Sequence, residues 1–175
     1  MEIRALLPTD ERGAFRSGDE ALDRFFHRYA GQNQFRHHLG VTYVAVDAGR
    51  ILGFATVAPR HLEVEDLPGR EARKLPRYPV PVLGLARLAV DETARSRGVG
   101  GRLLRFVLEM ALDLMERAGC AGVVVDSKPG AVEFYARYGL SRLEVLEGES
   151  EARPRPTTMW LSIGTIEAAR RAATR

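Results

Sequence analysis

An apolar run, a glycine-rich turn and a helical stripe follow one another in the middle of the 175-residue chain. Residues 82–90 are apolar except for Arg87 and lie between Pro81 and a polar stretch, which predicts a buried strand. After Gly101, apolar residues recur every three or four positions until about Gly119, which predicts an amphipathic helix. A strand, a glycine turn and a helix in this order are typical of an anion site, because the free N–H groups of the first helical turn attract negative charge.

Shorter patterns predict the other elements of the fold. Strands are expected at residues 3–7, 41–46, 51–57, 122–125 and 157–163. Helices are expected after the start signal at residues 17–20, over residues 131–138, and as a short basic helix or tail at residues 166–175. Pro59 is expected to end the strand before it. The three prolines of residues 67–79 predict a long loop and exclude a regular helix through it. This order predicts an α/β protein with a mostly antiparallel sheet, two strands of which flank a crossover helix.

Length and composition are those of one globular domain. We expect a single domain over residues 1–175, with 45% hydrophobic and 28% charged residues. No apolar run reaches membrane-spanning length and the N-terminus lacks the pattern of a signal peptide, so we expect a cytoplasmic protein without a membrane partner. The single cysteine, Cys120, excludes an internal disulfide and a cysteine-cluster metal site. The adjacent His37 and His38 do not share a helix face, which favours surface histidines over metal ligands.

Positive charge is carried almost entirely by arginine. The formal net charge is +3, and Lys74 and Lys128 are the only lysines. Arginine suits the planar recognition of phosphate and carboxylate groups. The chain has no fully basic block, however, so charge by itself is weak evidence for a nucleic-acid partner, and any single arginine is more typical of a solvated surface.

The glycine turn differs from two common phosphate-binding loops. A Walker-type loop ends in Gly-Lys-Ser/Thr, whereas Gly100 is followed by Gly101 and an arginine, and Leu103 stands where a dinucleotide fingerprint needs its third glycine. What remains is Arg-x-x-Gly-x-Gly, beginning at Arg95, directly behind the strand end Leu-Ala-Val at residues 88–90. This segment resembles the acetyl-CoA pyrophosphate loop of the GNAT acetyltransferase superfamily. The alternative is a glycine turn that only caps a helix.

A second segment carries the same resemblance. Residues 131–140, Ala-Val-Glu-Phe-Tyr-Ala-Arg-Tyr-Gly-Leu, are similar to the GNAT pattern Ala-x-x-Phe-Tyr-x-x-x-Gly-Phe. In that family the tyrosine protonates the leaving thiolate of CoA, and Tyr135 occupies its position. A phenol with a pKa of about 10 can donate a proton to a thiolate of similar basicity. The alternative for Tyr135 is an aromatic residue that only packs. Lys128 departs from the family pattern, because many members have asparagine there.

The resemblance implies a GNAT-like three-layer fold, with helices on both faces of a mixed sheet, and acetyl-CoA as the cofactor without a metal. It implies that strand backbone groups bind pantetheine and polarise the thioester carbonyl, and that amides of the turn hold the pyrophosphate. The implied cofactor-binding residues are Leu88, Ala89, Val90, Arg95, Ser96, Arg97, Gly98, Val99, Gly100, Gly101, Lys128 and Phe134. Tyr135 is the implied catalytic residue.

The N-terminal third narrows the resemblance. Three segments are similar to the GNAT toxins of type II toxin–antitoxin modules: residues 15–33, the proline-bearing loop and residues 84–91. Residues 15–33 carry the pattern Phe-Arg-Ser-Gly-x-x-x-Leu-Asp-x-Phe and then Ala-x-Gln-Asn. Those enzymes acetylate the α-amino group of aminoacyl-tRNA and are neutralised by a small DNA-binding antitoxin. We therefore expect aminoacyl-tRNA as substrate, a ribbon-helix-helix antitoxin as partner, and a homodimer. The resemblance spans roughly residues 12–163.

The pKa of the α-amino group of aminoacyl-tRNA suits acetylation without a strong general base. A lysine amine has a pKa of about 10.4 and needs a base, whereas an α-amino group lies near 7.7–8.0 before esterification lowers it further. The chain offers no unambiguous general base, because Glu63, Glu65, Asp91 and Asp126 each fit a surface or capping role better. Basic residues that could bind the substrate include Arg36, Arg77 and, at the acceptor mouth, Arg87. The others are Arg24, Arg28, Arg70, Arg73 and Lys74.

Two alternative functions stay open at this point. One is a GNAT enzyme that acetylates a small amine, an antibiotic or a peptide or protein amine. The other is a module that binds acyl-CoA or nucleic acid without catalysis. Two observations distinguish aminoacyl-tRNA acetylation from the first alternative: its binding weakens steeply with salt, and it requires charged tRNA. The second predicts no release of CoA with any amine.

Overall fold

A computed structural model describes residues 1–143 and 155–174. The strands are β1 (Glu2–Ala5), β2 (Val41–Asp47), β3 (Arg50–Leu62), β4 (Val80–Val90), β5 (Gly122–Ser127), β6 (Ser141–Arg142) and β7 (Thr157–Ser162). The α-helices are α1 (Glu20–Arg24), α2 (Ala30–Phe35), α3 (Gly69–Ala72), α4 (Val99–Arg117), α5 (Val132–Ala136) and α6 (Ile163–Ala173). None of the helices in these ranges is long and apolar enough to cross a membrane.

The strands form one seven-stranded sheet in the order β1-β2-β3-β4-β5-β7-β6. The pairs β1–β2, β2–β3, β5–β7 and β6–β7 are antiparallel. The sheet neighbours β4 and β5 are joined by the long helix α4, as the sequence pattern predicted. The prediction of an α/β protein with a mostly antiparallel sheet is therefore confirmed.

One compact unit consists of residues 1–58 and 85–109. Its core is built around aromatic rings of the first helices and of β3, where Phe26 stacks on Phe54 with ring centroids 4.4 Å apart. Phe15 meets both rings edge-on, a favourable geometry for aromatic pairs. The core cluster comprises Leu6, Phe15, Phe25, Phe26, Ala30, Val44, Ile51, Phe54 and Ala89. The cluster thus fixes the first helices and the end of β4 within the same unit.

A π-helical turn, Phe25–Tyr29, separates α1 from α2. Helix α1 begins as predicted, with the side chain of Asp19 accepting hydrogen bonds from the amides of Ala21 and Leu22. The helical spacing did not predict the π turn. Its extra residue shifts the register of the apolar face, and both rings of the Phe25–Phe26 pair are buried.

The second compact unit consists of residues 59–84 and the described residues from 110 onward. Its core joins the 62–82 segment to strands β5 and β7 through Leu62, Val64, Leu67, Val80, Val82, Val124, Leu143 and Trp160. The predicted loop at residues 67–79 contains the four-residue helix α3, which lies between Pro68 and Pro76, and no regular helix runs through the whole loop. Pro68 precedes the helix as its N-cap, where its missing N–H removes no helical hydrogen bond. The indole N–H of Trp160 donates to Glu71 Oε2 at 2.8 Å and anchors this helix.

Two predicted element boundaries were wrong. Strand β3 continues past Pro59 to Leu62, because its pairing with β2 ends at Val57 and the missing N–H of Pro59 removes no bond from that ladder. Strand β7 ends at Ser162, whose hydroxyl caps α6 by accepting from the amide of Thr165. Helix α6 therefore begins before the predicted residue 166, and residue 175 lies outside the described residues.

Gly53 on β3 is expected to resist even a methyl group. A Cβ there would lie 2.9 Å from the carbonyl oxygen of Ala89 and 3.0 Å from side-chain carbons of Leu103 and Val99. Gly53→Ala should lower the free energy of unfolding by about 1–3 kcal/mol through overpacking. Gly13→Ala is the matched control, since a Cβ there meets nothing within 4 Å and the change should stay within about 0.5 kcal/mol. Urea denaturation of both variants measures the difference, and equal values would contradict the prediction.

Candidate active site

The glycine turn leads directly from the end of β4 into α4. A short 3₁₀ turn, Glu92–Ala94, follows β4, and the chain then takes left-handed backbone at Ser96 (φ 61°) and Gly98 (φ 75°). Helix α4 begins at Val99, so the glycine pair at positions 100–101 belongs to its first turn rather than preceding it. The first amide with a hydrogen bond along the helix is Arg102 N, which donates to the carbonyl of Gly98 at 3.1 Å.

The amides at the head of α4 suit an anionic ligand. The N–H groups of residues 99–101 precede the first helical hydrogen bond, and the described residues supply no backbone acceptor for them. A Cβ at Gly98 would meet nothing within 4 Å, so the space beside the turn is open. Free amides, the positive end of a 19-residue helix and this space together fit a phosphate or diphosphate.

Gly98 is expected to be required by backbone conformation rather than by packing. Its left-handed φ of 75° disfavours residues with a Cβ, least so asparagine and most so β-branched residues. Gly98→Asn should therefore cost less stability than Gly98→Ala, which should lower the free energy of unfolding by about 1–2 kcal/mol, and Gly98→Val should cost most. Thermal unfolding of the three variants checks this order. Gly130→Ala is the control, because Gly130 has open space and ordinary φ; an equal loss there would contradict the explanation.

Arg95, the first residue of the glycine motif, reaches back to the N-terminal segment. Its Nη2 donates to the carbonyl oxygen of Ser17 at 2.5 Å and lies 3.7 Å from Glu92 Oε1. A Cβ at Gly18 would collide with both side chains, at 2.7 Å from Glu92 and 2.8 Å from Arg95. The Nε and Nη1 groups of Arg95 have no partner among the described residues. Any diphosphate contact by this side chain would therefore use those remaining donors.

Asp91 joins three segments of the same unit. Its carboxylate is buried and accepts hydrogen bonds from the amide of Arg16 (3.0 Å), from the amide and hydroxyl of Thr93 (3.1 and 2.5 Å), and from Arg50 Nη2 (3.3 Å). Burial opposes ionisation, but the hydrogen bonds of Thr93 and Arg16 and the charge of Arg50 outweigh it and lower the pKa of Asp91. A carboxylate with four donors is a structural anchor rather than a base.

The other candidate bases are occupied or exposed. Asp126 accepts from Arg60 Nη1 at 2.9 Å and from the hydroxyl of Thr158 at 2.8 Å. Glu63 and Glu65 are exposed beside the 3₁₀ turn that follows β3. Within residues 1–143 and 155–174, no three histidine, cysteine, aspartate or glutamate side chains are grouped so as to hold a metal.

The middle of β4 exposes part of its surface. The sequence pattern predicted a buried strand interrupted only by Arg87, but Ala86 is exposed and Leu88 and Val90 are half-buried. The buried Ala89 packs into the aromatic core of its unit. Arg87 is half-buried, with its Cζ 3.8 Å from the ring centroid of Phe25. An accessible stretch of strand is what binding through backbone groups requires.

Tyr135 lies on α5 in the second unit. Its side chain is 5% exposed, its ring meets Phe134 edge-on at 5.1 Å, and burial raises its pKa to about 12. Its hydroxyl has no hydrogen-bond partner among the described residues, which include no fully buried polar side-chain atom without a partner. The hydroxyl is therefore still reachable by solvent or a ligand and holds its proton at neutral pH.

The remaining predicted site residues lie at the surface or along α5. Lys128 is exposed and precedes a 3₁₀ turn, Pro129–Ala131, whose first hydrogen bond its carbonyl accepts. Phe134 is half-buried and also contacts the ring of Tyr138, with centroids 5.3 Å apart. Arg36, in the first unit, and Arg77, in the second, are both exposed. The structure thus places the turn, Arg95 and residues 85–90 of β4 in one unit, and Phe134 with Tyr135 in the other.

Comparison with known proteins decides the family. The acetyltransferase (GNAT) domain matches residues 38–140, which include both the glycine turn and Tyr135. The chain belongs to the GNAT acetyltransferase family. The tRNA-acetylating toxin of Mycobacterium tuberculosis (strain ATCC 25618 / H37Rv) is 33% identical to it over 138 residues, covering 77% of this chain and 81% of the toxin.

Solved structures confirm the GNAT-like fold. AtaT complexed with acetyl-methionyl-tRNAfMet superposes with a TM-score of 0.83 at 23% identity, covering 96% of this chain and 98% of that one. A mutant AtaT toxin bound to the C-terminus of the antitoxin AtaR and acetyl-CoA gives a TM-score of 0.76 at 20% identity, covering 96% of each chain. The likeness extends beyond the residues of the GNAT domain match and includes the N-terminal helices.

Phe25 and Ser17 lie in the same unit as the glycine turn, and the sequence pattern did not predict their contacts with Arg87 and Arg95. Both lie before residue 38, outside the range that the GNAT domain matches. Ser17 accepts from Arg95 across 78 positions, and Phe25 lies beneath Arg87 across 62 positions of sequence. Periodicity reports only neighbours within an element, so neither contact could be read from spacing.

Proposed function

We propose that this GNAT acetyltransferase transfers an acetyl group from acetyl-CoA to the α-amino group of aminoacyl-tRNA and acts as a toxin by blocking translation. The observation that carries the proposal is the 33% identity to a tRNA-acetylating toxin over 77% of this chain. The likeness to AtaT in its complex with acetyl-methionyl-tRNAfMet supports it at the level of the fold.

The head of α4 fits the diphosphate of acetyl-CoA. Amides at positions 98–101 bind the diphosphate, aided by the side chain of Arg95 and by the left-handed backbone of Ser96 and Gly98. The amide of Arg97 already donates to the carbonyl oxygen of Ala94 at 3.3 Å. The backbone of residues 88–90 binds pantetheine and orients the reacting carbonyl, and Lys128 and Phe134 complete the contacts. Acetyl-CoA supplies the acetyl group in activated form, as a thioester.

Tyr135 acts as the general acid. Burial raises the pKa of Tyr135 to about 12, so its hydroxyl, like an ordinary phenol, carries a proton throughout the neutral range. That proton is available to the departing sulfur, and the absence of a protein hydrogen-bond partner among the described residues leaves the Oη atom free to donate it. The phenol is thus in its acid form at pH 7, as a proton donor must be.

The acceptor amine needs little help from the protein. An α-amino group next to an ester has a pKa below about 7.7–8.0 and is substantially neutral at pH 7, so it is nucleophilic without a dedicated base. This agrees with the carboxylates of Asp91 and Asp126, which already accept hydrogen bonds from other protein groups. Arg36 and Arg77, both exposed, bind the RNA by contacts to its phosphates.

The setting follows from the substrate. We propose that the protein is cytoplasmic, because aminoacyl-tRNA is made and used in the cytoplasm. We also propose that it folds as one domain over residues 1–175 and forms a homodimer. A ribbon-helix-helix antitoxin is its proposed partner, supported by the likeness to AtaT bound to the C-terminus of AtaR. A small reading frame of that class directly upstream of the gene would support the toxin assignment.

The experiment compares charged with uncharged tRNA. Purified protein is given labelled acetyl-CoA with aminoacyl-tRNA, with the same tRNA after deacylation, or with a panel of free amines and peptide N-termini. We expect label on charged tRNA only, and apparent binding that weakens steeply with salt. Transfer to free amines with charged tRNA inert would overturn the tRNA assignment, and no CoA release with any acceptor would overturn the enzyme assignment.

A further inference from the structure

The guanidinium group of Arg87 lies over an aromatic ring and forms no ion pair with a described residue. Its Cζ lies 3.8 Å from the centroid of the Phe25 ring, which is within cation–π distance. The side chain is half-buried, and burial lowers the pKa of Arg87. Arg4, in the same unit, instead donates to both carboxylate oxygens of Asp10, at 2.7 and 2.8 Å. For Arg87, the described residues supply no carboxylate and no hydrogen-bond acceptor.

Stacking on a ring uses the flat face of a guanidinium group and leaves the N–H donors along its edge without hydrogen-bond acceptors. The five N–H donors of arginine lie in the plane of the group and point away from an aromatic ring below it. Among the described residues no polar side-chain atom is both fully buried and without a partner, so these donors are reachable from solvent. Arg87 therefore offers a fork of donors that is held in place but not used by the fold.

The Phe25 ring beneath Arg87 is held by the aromatic core. Phe25 belongs to the π-helical turn, is 5% exposed, and packs against Phe54 with centroids 6.2 Å apart. Phe54 in turn stacks on Phe26 within the aromatic core. π turns are frequent at functional sites, and Phe25 is the first residue of this one. A donor fork fixed in this way loses little conformational freedom when it binds.

We propose that Arg87, stacked on Phe25, binds a phosphate group at the acceptor end of the tRNA and so positions the aminoacyl amine for transfer; this rests on the proposed function. A bidentate contact from a planar fork is the geometry in which arginine recognises phosphate best. Arg87 directly precedes residues 88–90, which are proposed to orient the reacting carbonyl, so a phosphate held there lies within one side-chain length of that strand segment. Arg87 is thus a positioning residue rather than a catalytic one.

The test measures KM and kcat for charged tRNA at several salt concentrations in wild type, Arg87→Gln and Arg87→Lys. Arg117→Gln, which removes an exposed arginine from the last turn of α4, is the charge-matched control. We expect Arg87→Gln to raise KM for aminoacyl-tRNA by about tenfold with kcat and the Kd of acetyl-CoA little changed. The slope of log KM against log salt should fall by about 0.7–0.9, as for the loss of one phosphate contact. Arg87→Lys should lie between wild type and Arg87→Gln, because it keeps the charge without the fork.

The outcomes separate this proposal from the function on which it rests. If wild type acetylates charged tRNA and Arg87→Gln matches it in KM, Arg87 has no substrate role. A higher KM with an unchanged salt slope would overturn the phosphate assignment, because the contact would then be to a neutral oxygen such as the ester carbonyl. A weaker Kd for acetyl-CoA or a lower melting temperature shared with Arg87→Lys would indicate a structural role. Failure of wild type itself to acetylate charged tRNA rejects the proposed function instead.

Discussion

Replacing Tyr135 by phenylalanine is expected to lower kcat by about 10²–10⁴-fold while leaving the Kd of acetyl-CoA unchanged. The ring and its contact with Phe134 remain, so the packing of α5 is kept and only the proton donor is lost. Because the hydroxyl is not hydrogen-bonded to any described residue, its removal should change the free energy of unfolding by less than about 1 kcal/mol. Acetyl transfer to charged tRNA measures kcat, and calorimetry measures cofactor binding.

Tyr138→Phe is the matched control for this prediction, because it makes the same chemical change three positions along the chain on a half-buried side chain. Its kcat should stay close to that of wild type. The pH profile adds a second check: with the pKa of Tyr135 at about 12, wild-type kcat should show no loss from ionisation of this group between pH 7 and 9. An unchanged kcat in Tyr135→Phe would remove this residue from the mechanism.

The parts of the site that sequence alone predicted are those encoded by local patterns. The glycine turn and α4 follow from residue types at short spacing, and the structure places an amide-rich helix start where the pattern predicted an anion site. Tyr135 was singled out by the resemblance of residues 131–140 to a GNAT pattern. The sequence pattern predicted that α4 starts after Gly101, whereas the helix begins at Val99, because glycines in a first helical turn look like loop residues.

The parts that could not be predicted depend on contacts between distant residues or on departures from ideal geometry. The π turn is invisible to a pattern search that assumes an ideal helix, although adjacent Phe25 and Phe26 are both buried. The stack of Arg87 on Phe25 and the bond from Arg95 to Ser17 join residues more than sixty positions apart. Strand β3 passes through Pro59 because of where its pairing with β2 ends, which a local rule for proline does not contain.

These long-range contacts connect the proposed cofactor loop to the N-terminal segment. The carbonyl of Arg16 accepts from the amide of Glu92 at 2.8 Å, and its amide donates to Asp91. Arg95 adds a third bond, to Ser17. Residues 16–17 are thus tied three times to residues 91–95, so the N-terminal helices and the turn before α4 are positioned by one small network, with Asp91 at its centre.

Asp91→Asn is expected to lower the free energy of unfolding by about 3 kcal/mol at pH 7, the scale seen when one member of a buried charged network is removed. Asparagine keeps the shape but places an amide N–H₂ where the carboxylate accepts from Arg16, Thr93 and Arg50. Against a total of about 5–15 kcal/mol, this is a large share of the stability of a domain. Urea denaturation at pH 7 measures the loss, and Asp113→Asn, at an exposed position on α4, should change it by no more than about 0.5 kcal/mol.

The same substitution should remove a pH dependence. The folded-state pKa of Asp91 lies below its unfolded value of about 3.9, so its contribution is fully present above that pH and is lost as the pH falls through the folded pKa. The difference in unfolding free energy between wild type and Asp91→Asn should therefore be constant from pH 5 to 7 and shrink below about pH 4. A difference that stays the same down to pH 3 would mean that the charge of Asp91 does not stabilise the fold, and that its neutral hydrogen bonds alone hold residues 16 and 93 in place.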